Sequence, residues 1–63
     1  MEIRVGYFNY ISKEWEILPG LYKAESKAWE IANGISNGGT NIITKVTVEG
    51  ETKAMWVGGA RLY

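Results

Sequence analysis

The sequence predicts a small α+β domain in which a four-stranded sheet carries one helix on one face, with the elements in the order ββαββ. Three observations support this prediction. Apolar and polar residues alternate in two stretches near each end of the chain, which is typical of strands. Between these stretches, apolar residues recur at helical spacing, and glycine or proline separates most of the segments. A length of 63 residues suffices for one domain, which we expect to cover residues 1–63.

The first two predicted strands cover residues 2–10 and 14–18 and form a hairpin. The polar stretch between them supplies the turn, and a proline–glycine pair ends the second strand because proline cannot donate to a ladder. In the first strand one face is apolar throughout. The other face begins charged and becomes aromatic at Phe8 and Tyr10.

The middle of the chain is predicted to form the single helix. Its apolar positions follow helical spacing and are mostly alanine. Such small residues let a helix lie close to a sheet, so that large sheet side chains fill the space around it. Gly38 is the predicted left-handed residue after the helix, with Gly34 as an earlier alternative. The apolar positions are Ala24, Ala28, Ile31, Ala32 and Ile35.

The clearest strand covers residues 41–49, because it is rich in β-branched side chains. A two-residue turn at 50–51 is predicted to lead into a fourth strand at 53–57. A glycine pair at 58–59 then breaks or bends the chain before its last residues. Because the sequence contains no linker, internal repeat or low-complexity segment, it is predicted to be a single domain.

This order of elements resembles the β-grasp arrangement of ubiquitin-like folds and of small immunoglobulin-binding bacterial domains. The resemblance implies that the first and last strands pair in parallel at the centre of the sheet, with the helix crossing one face. It covers the order of elements and carries no functional motif. A four-stranded antiparallel sheet with another strand order is the alternative topology.

The composition argues against most catalytic and metal-binding chemistry. The chain contains no His, Cys, Asp or Gln. Without His or Cys it cannot assemble an ordinary zinc or transition-metal site, a nucleophile–imidazole pair or a disulfide. Its seven acidic residues are all Glu in hydrophilic surroundings, and a chain this short leaves no room for a deep cleft. We therefore expect a non-enzymatic protein with no cofactor and no metal.

The charge and the hydropathy of the chain limit which cellular location and which partners we expect for it. Seven Lys and Arg residues balance seven Glu, so no net field draws the chain to nucleic acid or to a membrane. The sequence shows no signal-peptide pattern and no apolar run of transmembrane length, so we expect a cytoplasmic protein. Five Lys against two Arg, with seven Ile, favour a bacterial or phage origin.

The aromatic residues raise the functional question, because one helix covers only one face of a sheet. If each hairpin has a two-residue turn, Trp15 lies opposite Tyr10 and the uncovered face carries a large aromatic set. Each ring removes about 150–250 Å² from water when buried, so this set exceeds a usual solitary patch. The predicted binding residues are Phe8, Tyr10, Trp15 and Trp56, with Ile17 and Ile43 beside them.

The alternative is that these rings fill the core. One extra loop residue moves a strand by one position and turns all its side chains to the other face. A three-residue first loop would bury Trp15, and a similar change in the second turn would bury Trp56. Phe8 and Tyr10 are less sensitive, because they lie opposite the apolar side of the first strand in any register.

Two functions follow from the aromatic face. The first is a protein-interaction module, accessory or regulatory in role, whose aromatic face or edge strand binds a protein partner or a second copy, which would make it a homo-oligomer. The alternative is single-stranded nucleic-acid binding, in which bases stack on the rings and cations contact phosphates. Nucleic acid is less favoured because Glu offsets the basic residues and no basic cluster is present. The rings in that alternative are Phe8, Tyr10 and Trp56, and the cations are Arg4, Lys45 and Lys53.

Overall fold

The structure of the protein is a computed structural model that describes residues 1–62. These residues contain five strands and one helix. The α+β class, the single helix and the sheet are confirmed, whereas the predicted count of four strands is corrected to five. The strands are β1 (Ile3–Asn9), β2 (Glu14–Ile17), β3 (Ile43–Val48), β4 (Glu51–Val57) and β5 (Ala60–Arg61), and the helix is α1 (Glu25–Ser36), between β2 and β3.

The strands lie in the order β2-β1-β3-β4-β5, and every pair described is antiparallel. The parallel pairing implied by the β-grasp resemblance is therefore wrong, and the alternative antiparallel topology forms. The helix explains this topology. It begins after Tyr22, whose N–H donates to the Ile3 carbonyl at the start of β1, and its 12 residues span about 18 Å. β3 therefore begins at the far end of β1, with Thr44 opposite Tyr7, and runs back along it.

The helix covers one face of the sheet, here called the inner face, and the core lies between them. Two alanines of the helix, Ala28 and Ala32, are fully buried there. Because alanine is small, the helix lies close to the sheet and the larger side chains come from the strands. The buried sheet residues of this core are Ile3, Val5, Val46, Ala54 and Trp56.

Trp56 lies in this core, so its predicted position on the uncovered face is corrected. It fills the core as the alternative expected, but through a bulge in β4 and not through a longer turn. The turn before β4 is at 49–50, one position earlier than predicted, and both of its residues have positive φ, as in a type I′ turn. Lys53 is then an extra residue in β4, at a bulge that shifts the register by one. The shift places Trp56 opposite Thr44 on the inner face. Without the bulge, Trp56 would lie opposite Ile43 on the other face.

The end of the helix also differs from the prediction. Gly34 lies within α1, and neither Gly34 nor Gly38 has positive φ. Asn37 caps the helix in right-handed backbone, with φ −67° and ψ −12°, so no left-handed residue is required. The glycines with positive φ lie elsewhere: Gly20 after β2, Gly50 in the turn before β4, and Gly58 and Gly59, which form the turn from β4 to β5.

The buried hydroxyl of Ser36 joins three segments at this end of the domain. Its Oγ donates to the Ile42 carbonyl at 2.9 Å and accepts from the Gly59 N–H at 2.9 Å. It thereby connects the last residue of α1, the entry to β3 and the turn before β5.

Replacing Ser36 by alanine is expected to lower the free energy of unfolding by about 1–3 kcal/mol, because two polar backbone groups lose their hydroxyl partner. Urea denaturation measures this change. Ser26→Ala, on the exposed side of the same helix, is the control and should change stability by less than about 0.5 kcal/mol. Equal losses in the two variants would contradict the role of the buried hydroxyl.

No helix within residues 1–62 combines the length and the apolar character needed to cross a membrane.

Candidate binding surface

The face of the sheet opposite the helix, here called the outer face, is the candidate binding surface. α1 packs on the other side, against β1, β3, β4 and β5. Within residues 1–62, no helix or further strand lies over the outer face. The strand pairing assigns to it Arg4, Gly6, Phe8, Trp15, Ile17, Ile43, Lys45, Thr47, Thr52, Met55 and Val57.

Three of the four predicted binding residues come together on this face. The Phe8 ring lies 5.3 Å from the Tyr10 ring and 5.6 Å from the Trp15 ring, measured between centroids, and both pairs are edge to face. Trp15 pairs with Phe8, not with Tyr10 as predicted, because the first loop has four residues, 10–13. Adding two residues to a loop preserves the face, so Trp15 and Ile17 lie on the side that was predicted. We call Phe8, Tyr10 and Trp15 the aromatic cluster.

The loop that sets this register is built by Asn9. Its Oδ1 accepts hydrogen bonds from the N–H groups of Ile11 and Ser12 at 2.9 and 3.3 Å. Its carbonyl accepts from the Lys13 N–H at 2.7 Å, and Lys13 closes the loop with a φ of 60°. Asn is a common turn residue because its side chain bonds to the following backbone. The Asn9 side chain thus stabilises a four-residue loop in place of the predicted two-residue turn.

Tyr10 is fixed in place although it is 54% exposed. Its hydroxyl donates to the Asn41 carbonyl at 2.6 Å, which ties the first hairpin to the entry of β3. Next to it, Ile11 is 97% exposed at the tip of the loop, and Ile17 in β2 is 48% exposed. The first hairpin thus presents apolar surface around the aromatic cluster.

Lys45 reaches from β3 across β1 to the aromatic cluster. Its Nζ lies 4.1 Å from the centroid of a Trp15 ring, although Trp15 is on β2, two strands away. Gly6 is the β1 residue opposite both Lys45 and Ile17. A Cβ at Gly6 would be in ordinary contact with Lys45 Cε at 3.7 Å, but would lie 3.0 Å from Ile17 Cδ1 and 3.3 Å from the Glu16 carbonyl oxygen. The missing side chain therefore leaves space mainly for Ile17.

A shallow depression of about 250 Å³ lies beside the cluster on the outer face. Two cationic side chains flank it. Arg4 Nη2 lies 3.4 Å from Glu2 Oε2, and Arg4 Nη1 donates to the Gly20 carbonyl at 3.4 Å. The depression is lined by Glu2, Arg4, Ile17, Lys45, Thr47 and Gly50.

The fourth predicted residue, Trp56, is only 4% exposed and lies under the helix, away from the aromatic cluster. It contacts Trp29, a helix residue that has no role in the sequence-based prediction, edge to face at 5.7 Å. Trp29 stands three residues before Ala32 and seven before Ser36, both buried. This spacing indicates the covered side of the helix and could have identified Trp29.

The described residues show no cluster of three or more side chains suited to holding a metal ion. Comparison of the chain with protein-family models, with curated proteins and with solved structures returned no match. The class that the fold and the surface define is a small α+β domain with a sheet covered by its helix on one face. The function must therefore be inferred from the outer face itself.

Proposed function

We propose that this chain is a protein-binding module and that the outer face, centred on the first hairpin, is its binding surface. The observation that carries the proposal is the aromatic cluster on a sheet face that lies outside the core. Trp, Tyr and Phe are enriched at the centres of protein interfaces, and charged residues are depleted there. Ile11 and Ile17 extend the apolar surface beside the cluster.

The dimensions of the folded domain are those of a compact monomer. Its accessible surface is 4060 Å², and about 4100 Å² is expected for a compact monomer of this mass. Its radius of gyration of 10.7 Å also matches the value of about 10.6 Å for a single domain of this length. The described residues therefore pack compactly while the aromatic cluster lies outside their core.

The cluster is organised before any partner arrives. The hydroxyl of Tyr10 is bonded to the Asn41 carbonyl, and the Asn9 side chain holds the loop from which Tyr10 projects. Immobilising a flexible side chain on binding costs about 0.5–1.5 kcal/mol, and prior order lowers this cost. The fixed rings are thus suited to serve as anchors.

The face is a better candidate than the edges of the sheet. The edge strands of the described sheet are β2, with four residues, and β5, with two. Short edges offer few unpaired backbone groups to a second chain, and β2 carries Glu14 and Glu16 besides.

Nucleic-acid binding is less well supported by this geometry. Trp56, one of the three rings proposed to stack on bases, lies under the helix. The remaining rings contact one another edge to face, and Lys45 lies over Trp15, so they do not present parallel open faces. Lys53 is paired with Glu51 at 3.1 Å.

The proposal includes a non-enzymatic role, a cytoplasmic location and a bacterial or phage origin. The non-enzymatic role rests on the absence of His, Cys, Asp and Gln, and the location on the absence of a signal-peptide pattern and of an apolar run of transmembrane length. The origin rests on five Lys against two Arg, with seven Ile.

Site-specific photo-crosslinking in the native host tests the proposal. A photoreactive benzoylphenylalanine replaces Ile17, which is on the outer face and 48% exposed. The matched control places it at Glu30, whose side chain is 73% exposed on the helix. We expect a protein adduct from position 17 and none from position 30. Adducts at both positions, or an adduct at position 30 alone, or none at either, would contradict a binding surface on the outer face.

A further inference from the structure

We propose that the outer face recognises an acidic partner, and that the depression between Arg4 and Lys45 receives a carboxylate from the bound protein segment. This inference rests on the proposed function and names the chemistry of its partner. The segment would carry a Glu or Asp side chain next to a large apolar one, which would lie against the aromatic cluster.

The charge around the depression differs from that of the chain. The chain is neutral, with seven basic and seven acidic residues. Among the residues that line the depression, the cations of Arg4 and Lys45 stand against the single carboxylate of Glu2, which is already paired with Arg4. Within residues 1–62, the Lys45 ammonium has no carboxylate within 4 Å and lies on the Trp15 ring instead. A carboxylate from a partner would supply the missing charge.

The other glutamates do not line the depression. Glu14 and Glu16 of β2 lie opposite Asn9 and Tyr7, on the inner-face side of the sheet. Glu49, in the turn before β4, accepts a hydrogen bond from the Glu2 N–H at 2.7 Å and lies 3.9 Å from the N-terminus. Glu51, the first residue of β4, pairs with Lys53. The last two, Glu25 and Glu30, are in the helix.

The spacing of the two cations suits one carboxylate. Arg4 pairs with Thr47 and Gly6 with Lys45, so the two cations are diagonal neighbours on adjacent strands. Diagonal positions are about 7–8 Å apart, within reach of long side chains. Arginine has five N–H donors, and the two hydrogen bonds described for Arg4 are both long, at 3.4 Å. The volume of about 250 Å³ holds one side chain and lies below the usual range for a small-molecule pocket.

The same charges argue against a second copy as the occupant. A two-fold interface applies the same patch to itself. Lys45 lies on β3, the middle strand of the sheet, so an interface centred on this strand would bring the cations of the two copies together. The one carboxylate that lines each depression is already paired with Arg4. Burying such cations without new carboxylates is unfavourable.

Titration with two synthetic peptides tests the inference. The first is a blocked octapeptide that alternates glutamate with leucine, and the second has glutamine in place of glutamate. Backbone amide NMR at low salt reports where each peptide binds. We expect the acidic peptide to shift Arg4, Gly6 and Lys45 and to bind about fivefold more tightly than its twin, as for one effective ion pair.

Two variants test whether the positive charge of Lys45 causes the difference in affinity between the two peptides. Lys45→Met keeps the stem and the length but removes the ammonium, so the acidic peptide should lose most of its fivefold advantage. Lys27→Met, which removes an exposed lysine of the helix, should leave both affinities unchanged. Added salt should weaken only the acidic peptide.

Four results would overturn the acidic subsite. Equal affinities for the two peptides would show that the carboxylate is not recognised, while leaving an apolar binding surface intact. Binding of neither peptide would also refute the subsite, and the crosslinking at Ile17 would then decide the protein-binding function separately. Tighter binding of an oligothymidylate at Arg4 and Lys45 would identify nucleic acid as the partner. If the amide signals of Arg4, Gly6 and Lys45 shifted on dilution of the protein without peptide, the partner of this face would be a second copy of the chain.

Discussion

Trp56→Ala is expected to lower the free energy of unfolding by about 3–5 kcal/mol, the usual cost of truncating a buried Trp or Phe. Trp56 is 4% exposed, lies opposite the buried Thr44 and contacts Trp29. A domain of this length has a total stability of about 3–9 kcal/mol. The loss is therefore a large fraction of the whole stability, and it should lower the urea midpoint of the variant sharply. Urea denaturation followed by circular dichroism measures the change.

Trp15→Ala is the matched control for Trp56→Ala, because it removes the same side chain from the outer face. We expect it to cost less than about 1.5 kcal/mol, since Trp15 is only partly buried and contacts Phe8 and Lys45 rather than the core. If Trp56→Ala fails to fold, Trp56→Phe provides a measurable intermediate loss. Equal losses at positions 15 and 56 would contradict the assignment of the two residues to opposite faces.

Gly58→Ala is expected to lower the free energy of unfolding by about 2–5 kcal/mol. Gly58 has a φ of +58°, and an added Cβ would lie 2.5 Å from the Thr40 carbonyl oxygen. That oxygen belongs to backbone, which cannot rotate away as a side chain can. The Gly58 N–H also donates to the Ile42 carbonyl at 3.1 Å, which holds the turn against this segment.

Gly50→Ala is the control that measures the cost of a positive φ alone, without the close contact that an added Cβ at position 58 makes with the Thr40 carbonyl oxygen. Gly50 has a φ of +82°, yet no atom lies within 4 Å of an added Cβ. Its replacement should therefore cost only the strain of a left-handed alanine, about 1–2 kcal/mol. Thermal unfolding of both variants measures the difference. A loss at position 58 no greater than that at position 50 would show that the contact with Thr40 does not constrain the turn.

Periodicity predicted the elements that depend on local pattern. The strands around Val5 and Val46 and the alanine face around Ala28 follow directly from alternation and helical spacing. The fifth strand has only two residues and follows a glycine pair whose role as a type I′ turn was not considered. Such a short strand forms because β4 offers it a partner, which a local pattern does not show.

The position of each tryptophan depended on features that pattern alone does not reveal. Trp15 lies on the predicted face because the actual loop, set by Asn9, differs by an even number of residues from the predicted one. Trp56 lies on the opposite face from the one predicted. One bulge residue, Lys53, moves the side chain of every later position in β4 to the other face. A bulge is favoured here because it delivers Trp56 to Trp29 in a core that small helix residues leave unfilled.

The charge of the candidate surface could not be predicted from composition. A neutral chain was expected to have no preference among charged partners. The fold instead places Arg4 and Lys45 together on the outer face, beside a depression whose lining includes one glutamate, Glu2. Gly6, which lies opposite both Lys45 and Ile17, leaves room there for the Ile17 side chain.

The most direct test of the account is the solvent exposure of the two sheet faces in solution. A soluble paramagnetic chelate broadens NMR signals of protons that it can approach, and the measurement is made on the isolated chain over a wide dilution range. We expect strong broadening at Ile17 and Tyr10, about half exposed on or beside the outer face, and none at Val46 and Trp56 in the core. Protection of Ile17 and Tyr10 at every dilution, or broadening at Trp56, would contradict an open outer face available to a partner.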